Sequence, residues 1–300
     1  IGLTALAGSL VATSAFAGAM SVTGGASINV EHINGGAADT GKAWSMGNQL
    51  TFSGSGELDN GLNVSLSFVI DQGDDEMPED SSPFDSHSVT ISSDALGSLK
   101  FSGEGGSSAT SALDTTAAGD IWDAYDVATT VHPTGIGGGS NSMLYTLPAL
   151  MDGLSVNASF NPSGTSTESA MGYSATYTGV DGLSVSYGSG DGTTANTSAD
   201  AMKASYAYGP VTVAYSNYEY DADGTSSDDD TTSYKVSYTV SDEISISYGS
   251  ETIDRPSKED VETSRISASY TAGGMTISAT MDEIENMDGS TTATQDRERW

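Results

Sequence analysis

The sequence predicts an all-β fold: a transmembrane up-and-down antiparallel β-barrel of 16 strands, the last one truncated, with a long third loop folded inward. Three observations carry that expectation. Apolar residues recur at every second position through most of the 300 residues, with Ser, Thr, Asn and Gly at the alternate positions. A period of two with one apolar face defines a half-buried strand. The connections between these runs alternate between tight turns and long polar loops, as in a barrel that meanders across a membrane. After Ala17 no apolar run is long enough for a spanning helix, so if this chain is a membrane protein it crosses with strands.

Composition narrows the partners. The chain carries 9 Lys and Arg against 41 Asp and Glu, a formal charge of -32, with no Cys, 36 Gly and 14 Tyr. Strong acidity could signal disorder, but the tyrosines and the alternating Val, Ile, Leu and Met oppose it. Phosphates would repel such a chain, which excludes nucleic acid and makes cations the natural partner. Absence of cysteine leaves the redox compartment open and fits a protein that crosses a periplasm without mispairing.

Residues Ile1 to Ala17 differ from the rest: an apolar run of small residues ends in Ala15-Phe16-Ala17, like the h-region and cleavage site of a secretory leader. The expected organisation is a partial signal peptide at 1–17 and a barrel at 18–300 that is incomplete at its C-terminus. A short buried helix is the alternative reading of the first segment.

The first strand pattern is Val22, Ile28 and Val30 against Ser21, Ser27, Asn29 and Glu31. The same alternation returns at Leu50 and Phe52; Leu62 to Ile70; Val89 and Ile91; Leu99 and Phe101; Leu144, with a slip in phase before Leu147; and Leu154 to Phe160. It continues at Met171 to Tyr177, Leu183 to Tyr187, Met202 to Tyr208, Val211 to Tyr215, Tyr234 to Val240, Ile244 to Tyr248, Ile266 to Tyr270 and Met275 to Met281. Seven tight turns (Asp59-Asn60-Gly61, Ser93 to Gly97, Met151 to Gly153, Gly179 to Gly182, Tyr208 to Pro210, Ser241-Asp242, Ala272 to Gly274) interleave with eight loops, the longest running from Gly105 to Ser140. A turn followed by Gly-Leu-x-Val returns at Gly61, Gly153 and Gly182, one hairpin used repeatedly. Tyr173, Tyr177, Tyr187, Tyr208, Tyr215, Tyr248 and Tyr270, near strand ends, suit an interfacial girdle; core packing in a soluble sandwich is the alternative.

A connection as long as 105–140 inside a regular chain is functional or disordered. Folded into a polar lumen, it would narrow a pore. Its acidic residues Asp114, Asp120, Asp123 and Asp126 are the candidate constriction. Lys100, Lys203, Lys235 and Arg265 alternate with the apolar residues, so they are expected to point into the lumen, facing the loop across a water-filled gap. Simple balancing of nearby acids is the other reading.

Other constellations carry less. Gly36 to Lys42 spells most of a phosphate loop, but Ala43 stands in the Ser/Thr place and a strand follows instead of a helix. His32, His87 and His132 show no metal spacing. Asp221-Ala222-Asp223-Gly224 with Asp228 to Asp230 resembles a fragment of a calcium loop with the wrong spacing, and reads as a solvated acidic loop with room for weak divalent binding. No nucleophile and base set emerges, so no enzyme is expected.

Tyr145-Thr146-Leu147-Pro148, followed by Gly153-Leu154-Ser155-Val156, resembles Gram-negative general porins, where such a strand follows the constriction loop. Leu96-Gly97-Ser98-Leu99-Lys100-Phe101-Ser102-Gly103 resembles the strand leading into that loop, and the likeness is closest to alphaproteobacterial porins. The resemblance implies a homotrimer of water-filled barrels in the bacterial outer membrane, surrounded by its lipid and lipopolysaccharide and passing small hydrophilic solutes. It implies no required cofactor, with calcium in some members, here at Asp114, Asp120, Asp123 and Asp126. Two departures stand out: Gln295 to Trp300 stops as the final strand starts, and no arginine cluster opposes the acidic loop, which favours cations. The expected function is a cation-preferring passive channel; a secreted or surface-attached acidic β-rich adhesin or structural protein that binds divalent cations is the alternative.

Overall fold

The computed structural model describes residues 20–31, 33–34, 43–71, 85–125, 138–162, 168–192, 194–221, 228–256, 258–272, 275–291 and 295–299. The leader segment, the phosphate-loop-like segment 36–42, His32, His132, Asp126 and residues 222–227 lie outside them.

Period-two sequence gives extended chain nearly throughout. The segments are β1 (Ser21–Glu31), β2 (Ile33–Asn34), β3 (Ala43–Glu57), β4 (Asn63–Asp71), β5 (Ser86–Ser93), β6 (Gly97–Glu104), β7 (Ser142–Thr146), β8 (Leu154–Asn161) and β9 (Ala170–Tyr177). The second half continues with β10 (Leu183–Asp191), β11 (Ser198–Tyr208), β12 (Val211–Asp221), β13 (Asp229–Ser241), β14 (Ile244–Asp254), β15 (Val261–Ala272), β16 (Met275–Glu285) and β17 (Arg297–Arg299). β1 and β2 flank residue 32, which lies outside the described residues, and count as one strand, so seventeen segments make the sixteen strands expected.

From β3 onward each strand pairs antiparallel with the next, the meander that tight hairpin turns impose. The turn glycines Gly61, Gly153 and Gly182 all have positive φ (81°, 75° and 73°), which explains the repeated turn motif. β1 pairs with β3, while β2 pairs with β17 through Glu298 opposite Asn34 and Arg299 opposite Ile33, so the ladder returns to the strand where it began. The final strand pairs with β16 over three residues, Arg297 to Arg299.

The two faces separate as the alternation requires. Along β13, Tyr234, Val236, Tyr238 and Val240 are exposed, while Thr231 and Ser233 on the other face are buried. Tyr173, Tyr187, Tyr208, Tyr215, Tyr248 and Tyr270 are exposed on the outer face as well. An apolar surface of that extent does not persist in water. Hydrocarbon outside and hydroxyls inside is the arrangement of a membrane barrel.

Substitution separates the faces. Val236→Arg places a charge on the outer face and is expected to destabilise the barrel in lipid by about 2–4 kcal/mol. Ser237→Arg, one residue along and facing inward, should cost far less. Urea unfolding in phospholipid vesicles measures both, and equal effects would contradict the assignment of faces.

Candidate functional site: an inward loop laid along the barrel wall

The segment after β6 turns inward because its ends are pinned together. Gly106 and Gly139 exchange backbone bonds, Gly106 N–H to Gly139 O at 3.1 Å and Gly139 N–H to Gly106 O at 2.6 Å. Asn141 N–H adds a bond to Gly103 O at 3.2 Å.

From this neck the chain crosses the inner wall strand by strand. Ser174 of β9 donates to Ala109 O at 2.5 Å. Leu113 lies against Gly188 of β10, where an added Cβ would come within 2.6 Å of Leu113 Cδ1. Lys203 of β11 donates its Nζ to Thr115 O at 2.8 Å, and the Tyr218 hydroxyl of β12 donates to the same oxygen at 2.9 Å. Ala117 N–H bonds Ser216 Oγ of β12 and Ala118 N–H bonds Ser233 Oγ of β13, both at 2.9 Å. Ala118 rests on Gly249 of β14, whose added Cβ would meet Ala118 Cβ at 2.8 Å. Arg265 of β15 reaches Gly119 O at 3.4 Å while forking onto Asp282 of β16 at 2.7 and 2.8 Å.

The centre of the seat is Glu251 of β14, 1% exposed. Its carboxylate accepts from Ile121 N–H at 2.8 Å, Trp122 N–H at 3.3 Å, Thr263 Oγ1 at 3.2 Å and the Thr116 hydroxyl. Thr116 in turn accepts from Gly119 N–H and Asp120 N–H, and Asp120 accepts from Thr116 N–H at 2.8 Å. This network holds Asp120 at φ 50°, a left-handed conformation uncommon for a non-glycine residue. A buried charge is tolerable when its lone pairs are filled in this way.

Beside it lies a small dry cluster. Ile121, Trp122 and Tyr125, from a 3-10 turn at Ile121–Tyr125, pack with Ile253, Val261, Ile284 and Met287. Burying such side chains is worth about 1.5–3 kcal/mol each. On β14, β15 and β16 the apolar alternation places Ile246, Ile266 and Ile277 outward, so Ile253, Val261 and Ile284 fall on the opposite, inner phase. Tyr218 does the same on β12. Apolar side chains on a phase otherwise given to hydroxyls are the sequence signal for this seat, together with Gly188 and Gly249; they were not among the residues singled out from sequence.

The sequence-predicted residues divide. Lys203 and Arg265 face inward and touch the loop's carbonyl oxygens, so they lie against it and not across a gap from it. Lys235, opposite Ala214 and Gly249, shares that wall. Lys100 stands opposite Thr90 and Leu144, away from the seat. Asp123 is exposed, while Asp114 and Asp120 are half-buried. Burial pushes the Asp114 carboxyl up to about 6, with a bond from Ser111 acting against it and the Asp120 charge adding to it. Burial raises Asp120 too, opposed by its bonds to Thr116. Asp120 is engaged by Thr116 and Asp114 by Ser111, Asp126 lies outside the described residues, and among the described residues no group of three metal-ligating side chains occurs.

A barrel with a polar lumen and a loop sewn to one side of it has clear relatives. The profile described as Gram-negative porin matches residues 2–294. The chain belongs to the Gram-negative porin family. Two variants of the Rhodopseudomonas blastica porin superpose with TM-scores of 0.69 and 0.66 at 13% and 14% identity, each alignment covering 94% of this chain and 98% of theirs. A porin from Comamonas acidovorans, described as anion-selective, superposes at 0.66 with 16% identity, covering 94% of this chain and 97% of its own. No curated protein matches the chain. Membership makes this an outer-membrane β-barrel and a passive, non-enzymatic channel, and decides against the adhesin.

Removing the Glu251 carboxylate strands buried N–H groups, at a cost on the order of 1–3 kcal/mol each. Glu251→Ala is therefore expected to speed hydrogen exchange at the Ile121 and Trp122 amides while leaving the β4–β8 ladder protected. Unchanged exchange at those two amides would remove Glu251 from its tethering role.

Proposed function

We propose that this porin is a cation-preferring diffusion channel for small hydrophilic solutes, assembled as a homotrimer and embedded among outer-membrane lipid and lipopolysaccharide. The observation that carries the ion preference is where the bases sit. The described part of the loop is laid along β9–β16, which leaves the open part of the lumen against β1 and β3–β8. Arg297 and Arg299 of β17 pair with Ile284 and Asp282 on the inner face at the loop's edge, while on the described residues of β1 and β3–β8 Lys100 is the sole lysine or arginine. The inner positions there are otherwise such residues as Ser65, Ser67, Ser88, Thr90, Thr146 and Asn157.

Lys203 and Arg265, meanwhile, are occupied with the loop's own carbonyls. Asp123 on the exposed side of the loop therefore meets hydroxyls across the aperture, reinforced by Asp114 and Asp120. Acidic groups at a narrow passage favour cations. The net charge of -32 concentrates cations at the mouth as well. The anion selectivity of the Comamonas protein belongs to that protein; 16% identity carries the fold and not the lining.

Planar-bilayer reversal potentials in a KCl gradient test the reading. Asp114→Asn, Asp120→Asn and Asp123→Asn combined should lower potassium preference, and an unchanged reversal potential would sink it. A pH series adds a second arm. With a carboxyl raised to about 6, Asp114 is charged above that pH and neutral below it, so potassium preference should fall between pH 7 and pH 5. Asp114→Asn should flatten that part of the profile.

A further inference from the structure

The tight turns carry apolar side chains that conduction does not use. Leu58 ahead of the β3–β4 turn, Leu96 in the β5–β6 turn, Leu150 and Met151 between β7 and β8, Val180 between β9 and β10, and Tyr208 at the β11–β12 turn are exposed, Leu96, Leu150 and Tyr208 to 64%, 63% and 77%. A turn tip in water is normally polar, as the β13–β14 turn with Asp242 and Glu243 shows. The apolar tips fall on five successive turns round the rim, so they form an arc instead of scattered single residues.

Two contacts join the arc to the apolar outer wall. Tyr145, outward on β7, donates its hydroxyl to Leu96 O at 2.7 Å. The Tyr177 ring of β9 lies over Gly179, next to Val180, where an added Cβ would stand 2.5 Å from the Tyr177 hydroxyl oxygen. Tyrosines on a barrel's outer face settle at the headgroup level, ring toward the hydrocarbon and hydroxyl toward water. Turn residues in contact with those tyrosines lie at the same level.

We infer that the short-turn rim from β3 to β12 is a lipid-docking surface: its apolar tips enter the headgroup and acyl boundary of the inner leaflet and set the barrel's depth. The β13–β14 turn stays in water. Each tip stands beside a carboxylate, Asp59, Asp94, Asp152 or Asp181, on all but the β11–β12 turn, which disfavours anionic headgroups and points to zwitterionic phospholipid. The inference rests on the barrel and its outward face and is independent of ion preference.

Because the chain contains no cysteine, an introduced thiol reports from one position. Leu96→Cys, Leu150→Cys, Val180→Cys and Asp242→Cys, in the full chain, would each carry an environment-sensitive fluorophore in phosphatidylcholine vesicles, with and without lipid bearing a nitroxide near its headgroup. Retained channel conductance identifies folded variants. The expected result is blue-shifted emission quenched by the nitroxide lipid at positions 96, 150 and 180, and water-like, unquenched emission at 242. Water-like emission at all four positions would overturn the inference. Blue-shifted emission that the nitroxide does not quench would overturn it too, since protein and not lipid would then cover the arc.

Discussion

A polypeptide laid inside a barrel must find partners for its backbone, and here one buried carboxylate anchors the centre of that arrangement. Glu251 takes two loop amides and a threonine hydroxyl, and the loop's turn at Gly119 and Asp120 is shaped around it. A carboxylate offers several lone-pair positions in a small volume, which suits convergent N–H and O–H donors. Without it, the amides of Ile121 and Trp122 would face a wall of hydroxyls and methyl groups. The serines of β12 and β13 and the glycines of β10 and β14 then extend the seat, one contact at a time.

That seat makes the barrel asymmetric. One side of the lumen is filled by the loop and its dry cluster, where Ile253, Val261 and Ile284 replace hydroxyls and close the gap behind Ile121 and Trp122. The described part of the loop lies on that side alone, along β9–β16. On the proposed reading, solutes move between a peptide surface bearing carboxyls and a strand surface bearing hydroxyls. The bases nearest the loop stabilise its carbonyls, so their charge is spent on holding the constriction in place.

The strands and tight turns were legible because they are local. Period two fixes which face each residue takes, and a glycine with positive φ fixes each recurring turn, so the strand count and the inward phase of Lys203 and Arg265 follow from sequence. What those two bases touch did not follow, because contact with Thr115 and Gly119 depends on a loop some 80 to 150 residues away in the chain. Ser216 and Ser233 look like every other inward serine, and nothing in the sequence marks them as loop donors' partners. Tyr218, Ile253, Val261 and Ile284 were visible as apolar residues out of phase, and their meaning becomes plain only once the loop lies on them. The carboxyls of the loop were found from sequence, but as a set of equals; the structure distinguishes three of them, with Asp123 exposed and Asp114 and Asp120 partly withdrawn.

The account stands on the loop lying inside the barrel against β13 in the conducting state. Ala118 N–H is 2.9 Å from Ser233 Oγ, and a disulfide between Ala118→Cys and Ser233→Cys would hold the two residues in that contact. Single-channel conductance of that double variant, oxidised and then reduced, tests the claim most directly. The account predicts that the bridge forms and that conductance is the same in both states, since the bridge fixes a position already held. A conductance that changes sharply when the bridge is reduced would contradict it.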